Sequence, residues 1–347
     1  RLQAFNLNET AVAAWLYEGP EYDAVFIKSL VYCGTSLVCL LTSWWYLGPE
    51  ETKLKARYFQ LSGGTLEPTT DFFTAYDFGY TGASNDCDAS ASVLNKQGTV
   101  RACFADRGLK SVTFSTDGFV SEVQTVESYH GVGFGNLILA AGKTQDEALV
   151  AEGELIPRIS EYNLYVFPKS RDRGYFSEKA AIGRGKSPFP SIDGAGRTLI
   201  TWLTDNDVYL KRMGADSIPT YRVNRLDSDP IRSSCALASA TKLAAWVRKS
   251  RDSVIVGGWV QKSGPVHTVA PDWVLSVPGA SDAAAPRLAA VDSVAGLVSL
   301  FPEAGGDTSV AFRLLRVKTG AVLSSKTAND NGSLAAAPDI AADSSSF

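Results

Sequence analysis

A phrase returns along this chain. AVAAWL at 11–16, GTVRACFAD at 98–106, PSIDGAGRTLITWLTD at 190–205, CALASATKLAAWV at 235–247 and PRLAAVDSVAGLVSLF at 286–301 each carry a short apolar run around an equivalent centre. Those centres are Trp15, Cys103, Trp202, Trp246 and Leu300. Self-similarity at roughly 40–50 residues limits the folds open to a chain, because each unit alone cannot bury its apolar faces and must stack on its neighbours.

The unit at 190–224 shows what is repeated. It reads as a short strand PSI, a turn at Asp193–Gly196, a strand TLITWL, an acidic turn TDND, a strand VYLKRM, a polar turn and a strand TYRVN. KLAAWV, SVIVGGWV and VHTVA follow the same frame, as do GLVSLF, SVAFRLLRV and AVLSS, and at the front AVAAWL, AVFIKSLVY and SLVCLL. Four short antiparallel strands joined by turn chemistry resemble a blade of the β-propeller class. That resemblance implies an all-β fold. Centres near 15, 59, 103, 140, 202, 246 and 300 predict seven blades of four antiparallel strands, with six or eight as the alternatives. Residues 1–347 form one domain in this reading. PDIAADSSSF at 338–347 supplies a last strand that completes the first blade and removes two exposed sheet edges. The recurrent Trp15, Trp202 and Trp246 are expected to pack between blades.

Composition narrows the partners. With 45% hydrophobic residues the chain can bury a substantial core, and 33 basic against 37 acidic residues give a net charge of −4. Nothing in that balance selects nucleic acid or an anionic membrane. The uncharged run Ser29–Gly48 is about as long as a membrane span. Gly34, Thr35 and Ser36 at its centre favour two buried strands joined by a turn.

Five cysteines are present. A hairpin turning near Ser36 sets Cys33 and Cys39 opposite each other as a candidate disulfide, and Cys87 and Cys103 on neighbouring strands form a second; five buried free thiols fit the sequence equally well. Asn8 and Asn331 each open an N-glycosylation acceptor pattern. Together these suggest an extracellular or cell-surface protein. With two histidines, His130 and His267, and no CxxC pair, no metal site and no cofactor are expected. No catalytic residue is assigned, since neither histidine has a recognisable nucleophile partner. SIDGAGRTLITW at 191–202 and STDGFVSE at 115–122 partly resemble the Asp-box turn of sialidase-type propellers. Gly196 is displaced by one position from that pattern, and the second copy lacks the aromatic.

One interval departs from the repeat. Residues 165–186 read as an inserted basic loop carrying Lys169, Arg171, Arg173, Lys179, Arg184 and Lys186, with Tyr175 and other aromatics interleaved. Long loops on a rigid scaffold are where binding residues concentrate. These residues are therefore the candidate binding site, for an anionic glycan, a protein or a second copy of the chain. The function expected is that of a non-catalytic extracellular module for protein or glycan binding and assembly. Two alternatives stand beside it: a polysaccharide-acting propeller hydrolase or lyase, and a structural segment of a larger surface or filament protein.

Overall fold

The computed structural model describes residues 2–5, 11–15, 24–34, 37–45, 52–62, 65–79, 88–128, 134–141, 146–156, 161–170, 172–192, 196–204, 207–213, 221–222, 230–238, 241–248, 253–260, 271–279, 286–302 and 308–328. Every regular element among them is a β-strand. Among the described residues no helix is long and apolar enough to cross a membrane.

Strands β1 (Leu2–Phe5) and β2 (Ala11–Trp15) pair with each other. The next sheet contains β3 (Ala24–Gly34), β4 (Leu37–Trp45), β5 (Lys53–Ser62), β6 (Thr65–Pro68) and β7 (Phe73–Asp77). Then come β8 (Ala89–Val93), β9 (Val100–Ala105), β10 (Gly108–Phe114) and β11 (Gln124–Ser128). A seven-stranded sheet follows: β12 (Gly135–Ala141), β13 (Glu147–Ile156), β14 (Glu161–Lys169), β15 (Ala180–Ile192), β16 (Thr198–Leu203), β17 (Val208–Arg212) and β18 (Tyr221–Arg222). The last two sheets are β19 (Pro230–Ala238), β20 (Thr241–Arg248), β21 (Ser253–Val260), β22 (Trp273–Pro278), and β23 (Arg287–Val291), β24 (Val294–Pro302), β25 (Thr308–Arg316), β26 (Val322–Ala328). Among the described residues all pairings are antiparallel, and all but that of β5 with β7 join sequence neighbours.

The chain is an all-β propeller. Contacts join β3 to β8, β8 to β12, β12 to β15, β15 to β19 and β19 to β23, so the first strands of successive sheets stand side by side. We call the end at which these first strands begin the upper end.

The blade count differs from the sequence expectation of seven, or of six or eight. The described residues form a five-blade arrangement, counting sheets of four or more strands. Two physical causes account for the difference. The centre placed near 59 is Tyr58 on β5, inside the sheet that β3 opens, and the pair β1–β2 stands apart from it. Beyond that, β15 serves two four-stranded runs: residues 180–185 pair with β14 and residues 186–192 pair with β16. A corner at Gly185 (φ +148°) and Ser187 (φ +50°) makes this turn without a loop. The basic stretch is accordingly not one long loop, since β14 reaches Lys169 and β15 starts at Ala180. Residues 338–347 lie outside the described residues.

The core sits in the seams between sheets. Val31, Leu41, Leu54 and Tyr58 pack against Ala91, Val100, Phe104 and Phe114. Cys103 and Leu109 meet Leu137, Leu149 and Phe167 in the next seam. Leu199, Leu203 and Leu210 meet Cys235, Trp246 and Ile255, and Leu243, Val254 and Val256 meet Leu288, Ala295 and Leu297. Strands covered on both faces explain the continuous apolar runs in the sequence. Trp202, stacked on Tyr209 at 5.6 Å, and Trp246 are both buried in seams.

Candidate functional site

Polar side chains gather at both ends of the seam between the β8–β11 sheet and the β12–β15 run. At the upper end Glu152, on β13, is almost fully buried. Its Oε2 accepts a hydrogen bond from Asn136 Nδ2 at 2.6 Å and its Oε1 from the Ser187 backbone N–H at 2.5 Å. Asn136 (φ +47°) and Ser187 are both in the left-handed region, which costs a non-glycine residue about 1–2 kcal/mol. One carboxylate thus holds two strained residues, one at the start of β12 and one at the corner of β15. Asp88 Oδ2 accepts from the Asn136 backbone N–H at 3.3 Å. Burial raises the Glu152 pKa above its ordinary value, and the Asp88 charge adds to this against the opposing bonds from Ser187 and Asn136.

Beside it, on the outer part of the upper end, Tyr76, Asp106 and Lys110 form a closed triad. Tyr76 OH donates to Asp106 Oδ2 at 2.6 Å, and Lys110 Nζ donates to the same oxygen at 2.6 Å and to Tyr76 OH at 3.1 Å. Burial works against the Asp106 charge, but the bonds from Lys110 and Tyr76 outweigh it and hold its carboxyl below the usual range. Burial and Asp106 push the Tyr76 phenol up. The group is a neutralised cluster rather than an activated nucleophile.

At the lower end Arg101 and Lys169 converge on Glu147. Arg101 Nε donates to both Glu147 oxygens at 3.0 Å, and Lys169 Nζ lies 2.8 Å from Oε2. The Phe176 ring faces the Arg101 guanidinium at 5.9 Å. Phe176 is buried, so it pins the connection 170–179, from which Tyr175 projects with 66% of its surface exposed. On the preceding blade the turn between β10 and β11 presents Phe119, 62% exposed. That turn is rigid: Asp117 Oδ1 accepts from Ser115 Oγ at 2.5 Å and from the Phe119 N–H at 3.1 Å.

The residues singled out in the basic stretch are dispersed by this fold. Lys169 is buried in the Glu147 ion pair, and Lys179 is bound to Glu127 at 2.5 Å. Arg173 is exposed and donates to Ser177 Oγ at 3.2 Å. Arg184 is exposed and Lys186 half-buried, both towards the upper end of β15. Arg171 lies outside the described residues, as do Cys87, Asn8, Asn331, His130 and His267. Cys33, Cys39, Cys103 and Cys235 are buried free thiols, so the candidate Cys33–Cys39 bridge is not formed and Cys103, the described half of the other candidate pair, is free. In the β3–β4 hairpin it is Val31 that pairs with Cys39, because Gly34 faces Leu37, one residue off a hairpin centred on Ser36, and the register shifts by one more between Tyr32 and Gly34. Burial pushes the Cys33 and Cys235 thiols up to about 12. Among the described residues no group of three His, Cys, Asp or Glu side chains is arranged to hold a metal.

Arg101, Glu147, Asp88 and Glu152 were not singled out from the sequence. Their partners lie on other strands, 46 residues away for Arg101 and Glu147. The available signal was a charge in an otherwise apolar strand, as in VRACFA.

No family model matches the chain, and no curated protein matches it. Solved structures do. The chain is similar to the Hadza microbial sialidase Hz136 at 12% identity and a TM-score of 0.53, over 85% of this chain and 66% of that one. It is similar to U3-55K at 10% identity and a TM-score of 0.50, over 89% and 83% of the two chains. A protein of unknown function from Dyadobacter fermentans DSM 18053 matches at 10% identity and a TM-score of 0.50, over 86% and 98%. The chain spans just under two thirds of the sialidase's length. At such identities the likeness carries the fold alone, and that fold is the β-propeller.

Proposed function

We propose that this protein is a non-catalytic propeller module of a secreted or cell-surface protein, and that it binds a glycan at the lower end of its blades. The observation that carries the reading is the pair Tyr175 and Phe119. Both are large, exposed aromatics on the connections between the third and fourth strands of successive blades, and both loops are anchored. Rigid aromatic faces on loops of a stable scaffold suit the apolar faces of sugar rings. The carboxylates at the ends of this seam support the non-catalytic part, since Glu152, Asp106 and Glu147 are each spent on amides or cations. Arg173, close to Tyr175 in the chain, supplies a cation for an acidic sugar. In a secreted protein Asn8 and Asn331 are the acceptors to examine for attached glycans.

Glycan-array and calorimetric binding of the wild type, Tyr175→Ala and Phe119→Ala tests this. Binding that falls about tenfold or more in either variant supports it, a stacking contact being worth roughly 0.5–1.5 kcal/mol and more when it also excludes water. Undiminished binding, or capture of proteins with no glycan bound, overturns it. The second reading, a polysaccharide hydrolase, draws on the raised Glu152 beside Asp88 at the start of the first strands. Polysaccharide turnover abolished by Asp88→Asn would favour that reading instead.

A further inference from the structure

The lower seam between β9 and β13 holds more positive charge than it neutralises. Arg101 and Lys169 share the single carboxylate of Glu147, with 9% and 7% of their side-chain surface exposed. Ser92 adds only a long 3.4 Å hydrogen bond to Oε1. Two cations thus face one carboxylate, so within this cluster one positive charge is left over. A buried charge without a counter-ion is costly.

The donors are also incompletely used. A guanidinium carries five N–H donors and an ammonium three. Among the described residues Arg101 engages only Nε, leaving its two terminal amino groups without a protein partner, and Lys169 engages only Glu147. Neither terminal nitrogen of Arg101 is among the sealed, unpartnered atoms, so both keep contact with solvent. The Phe176 ring covers one side of the guanidinium at 5.9 Å.

We propose that this seam is an oxyanion site, taking a carboxylate, sulfate or phosphate group on the free edge of Arg101 and the free protons of Lys169. The planar fork of an arginine matches two oxygens of such a group, and the anion supplies the missing negative charge. The site does not depend on the glycan reading, because a free inorganic anion fits the same donors. Its position beside the Tyr175 loop also lets a uronate or sulfated sugar bring the group.

Thermal unfolding and calorimetry with sodium sulfate and sodium phosphate, against sodium chloride at matched ionic strength, test the proposal. The wild type is expected to show a saturable rise in Tm. Lys169→Met leaves Arg101 and Glu147 as a balanced pair and is expected to weaken sulfate binding about tenfold or more, by loss of a charged hydrogen bond. Glu147→Gln leaves two positive charges and is expected to tighten it. An unsaturable rise equal in wild type and Lys169→Met is the general effect of an excluded salt and overturns the proposal, as does no rise at all. Should Glu147→Gln fail to fold, Lys169→Met decides alone. An oligouronate or sulfated oligosaccharide binding more tightly than inorganic sulfate makes the sugar the carrier; equal affinity leaves the free anion as ligand.

Discussion

Replacing Gly185 by alanine probes the feature that joins two propeller units into one sheet. At φ +148° the backbone there is open to glycine and strained for any other residue, at a cost of order 1–3 kcal/mol. An added Cβ would overlap the Leu203 carbonyl oxygen and lie 2.8 Å from Trp202 Cδ1. The overlapped atom is backbone of β16, so relief requires the corner itself to move, adding about 1–3 kcal/mol as overpacking does. Against this, alanine restricts the unfolded chain and returns about 0.4–1 kcal/mol. The net loss is about 3 kcal/mol. Gly118→Ala is the control, because Gly118 has φ +80° and nothing within 4 Å of the added carbon; its net loss is about 1 kcal/mol. Gly183→Ala, at 3.4 Å from the Trp202 ring and without a positive φ, separates the tryptophan contact from the corner. Urea unfolding followed by tryptophan fluorescence reads all three. With a slope of about 3 kcal/mol/M, Gly185→Ala lowers the midpoint by about 1 M and Gly118→Ala by about 0.3 M. Midpoints for these two within about 0.3 M of each other would refute the corner and the shared strand built on it.

Glu152→Gln removes the pH dependence carried by a carboxyl whose folded pKa is raised by burial. The unfolded chain loses this proton first, so the wild type loses stability relative to the variant as pH rises from about 4.3 through the folded value, and the difference is flat below; parallel urea-midpoint curves between pH 4 and 7 would contradict it. Tyr58→Phe deletes the 2.6 Å bond to the Gly98 carbonyl inside the core and is expected to cost about 1–3 kcal/mol, whereas Ser111→Ala, which removes a buried hydroxyl with no partner, is expected to be neutral or slightly stabilising; chemical denaturation of the pair reads the opposite signs. In a Cys87→Ser background an aromatic disulfide reagent should leave Cys33, Cys39, Cys103 and Cys235 untouched in the native protein and titrate all four after unfolding. Rapid native reaction would show the seams to be open, and two thiols on unfolding would reveal a Cys33–Cys39 bond.

Tertiary structure was legible wherever a unit's second strand carried its own mark. Cys103 on β9, Trp202 on β16, Trp246 on β20 and Leu300 on β24 each occupy the second strand of a run, as the repeat frame requires. The frame slipped at Tyr58 and near Ala140 because a short apolar run, such as RYF on β5 or LILA on β12, carries no mark of its position in a blade. Tyr58 is a third-strand residue with no exposed surface, and Leu139 a first-strand residue with little. Strand length misled as well. The long interval before Trp202 holds β13, β14 and β15 of 10, 9 and 13 residues, so the extra chain lengthens strands instead of forming a loop.

The basic stretch shows why composition locates charge but not its use. Six cations within 165–186 look like one surface, yet the returning arm of the hairpin carries the later ones to the other end of the blade and alternation sends successive side chains to opposite faces. Lys169 therefore ends in a seam with Glu147, Lys179 reaches Glu127 on the neighbouring blade, and Arg184 stays in solvent. The partners that decide these fates are 22 residues from Lys169 and 52 from Lys179, beyond any local pattern. The same logic runs from structure back to function. A propeller seam tolerates a carboxylate whose oxygens are occupied, as Asp106 is by Lys110 and Glu152 is by its two amides. The seam at Glu147 is different in kind, because Lys169 adds a second cation where Arg101 alone would have balanced it. Stability gives no reason for that addition, since a neutral side chain at 169 would avoid burying the extra charge. A group that brings its own negative charge does.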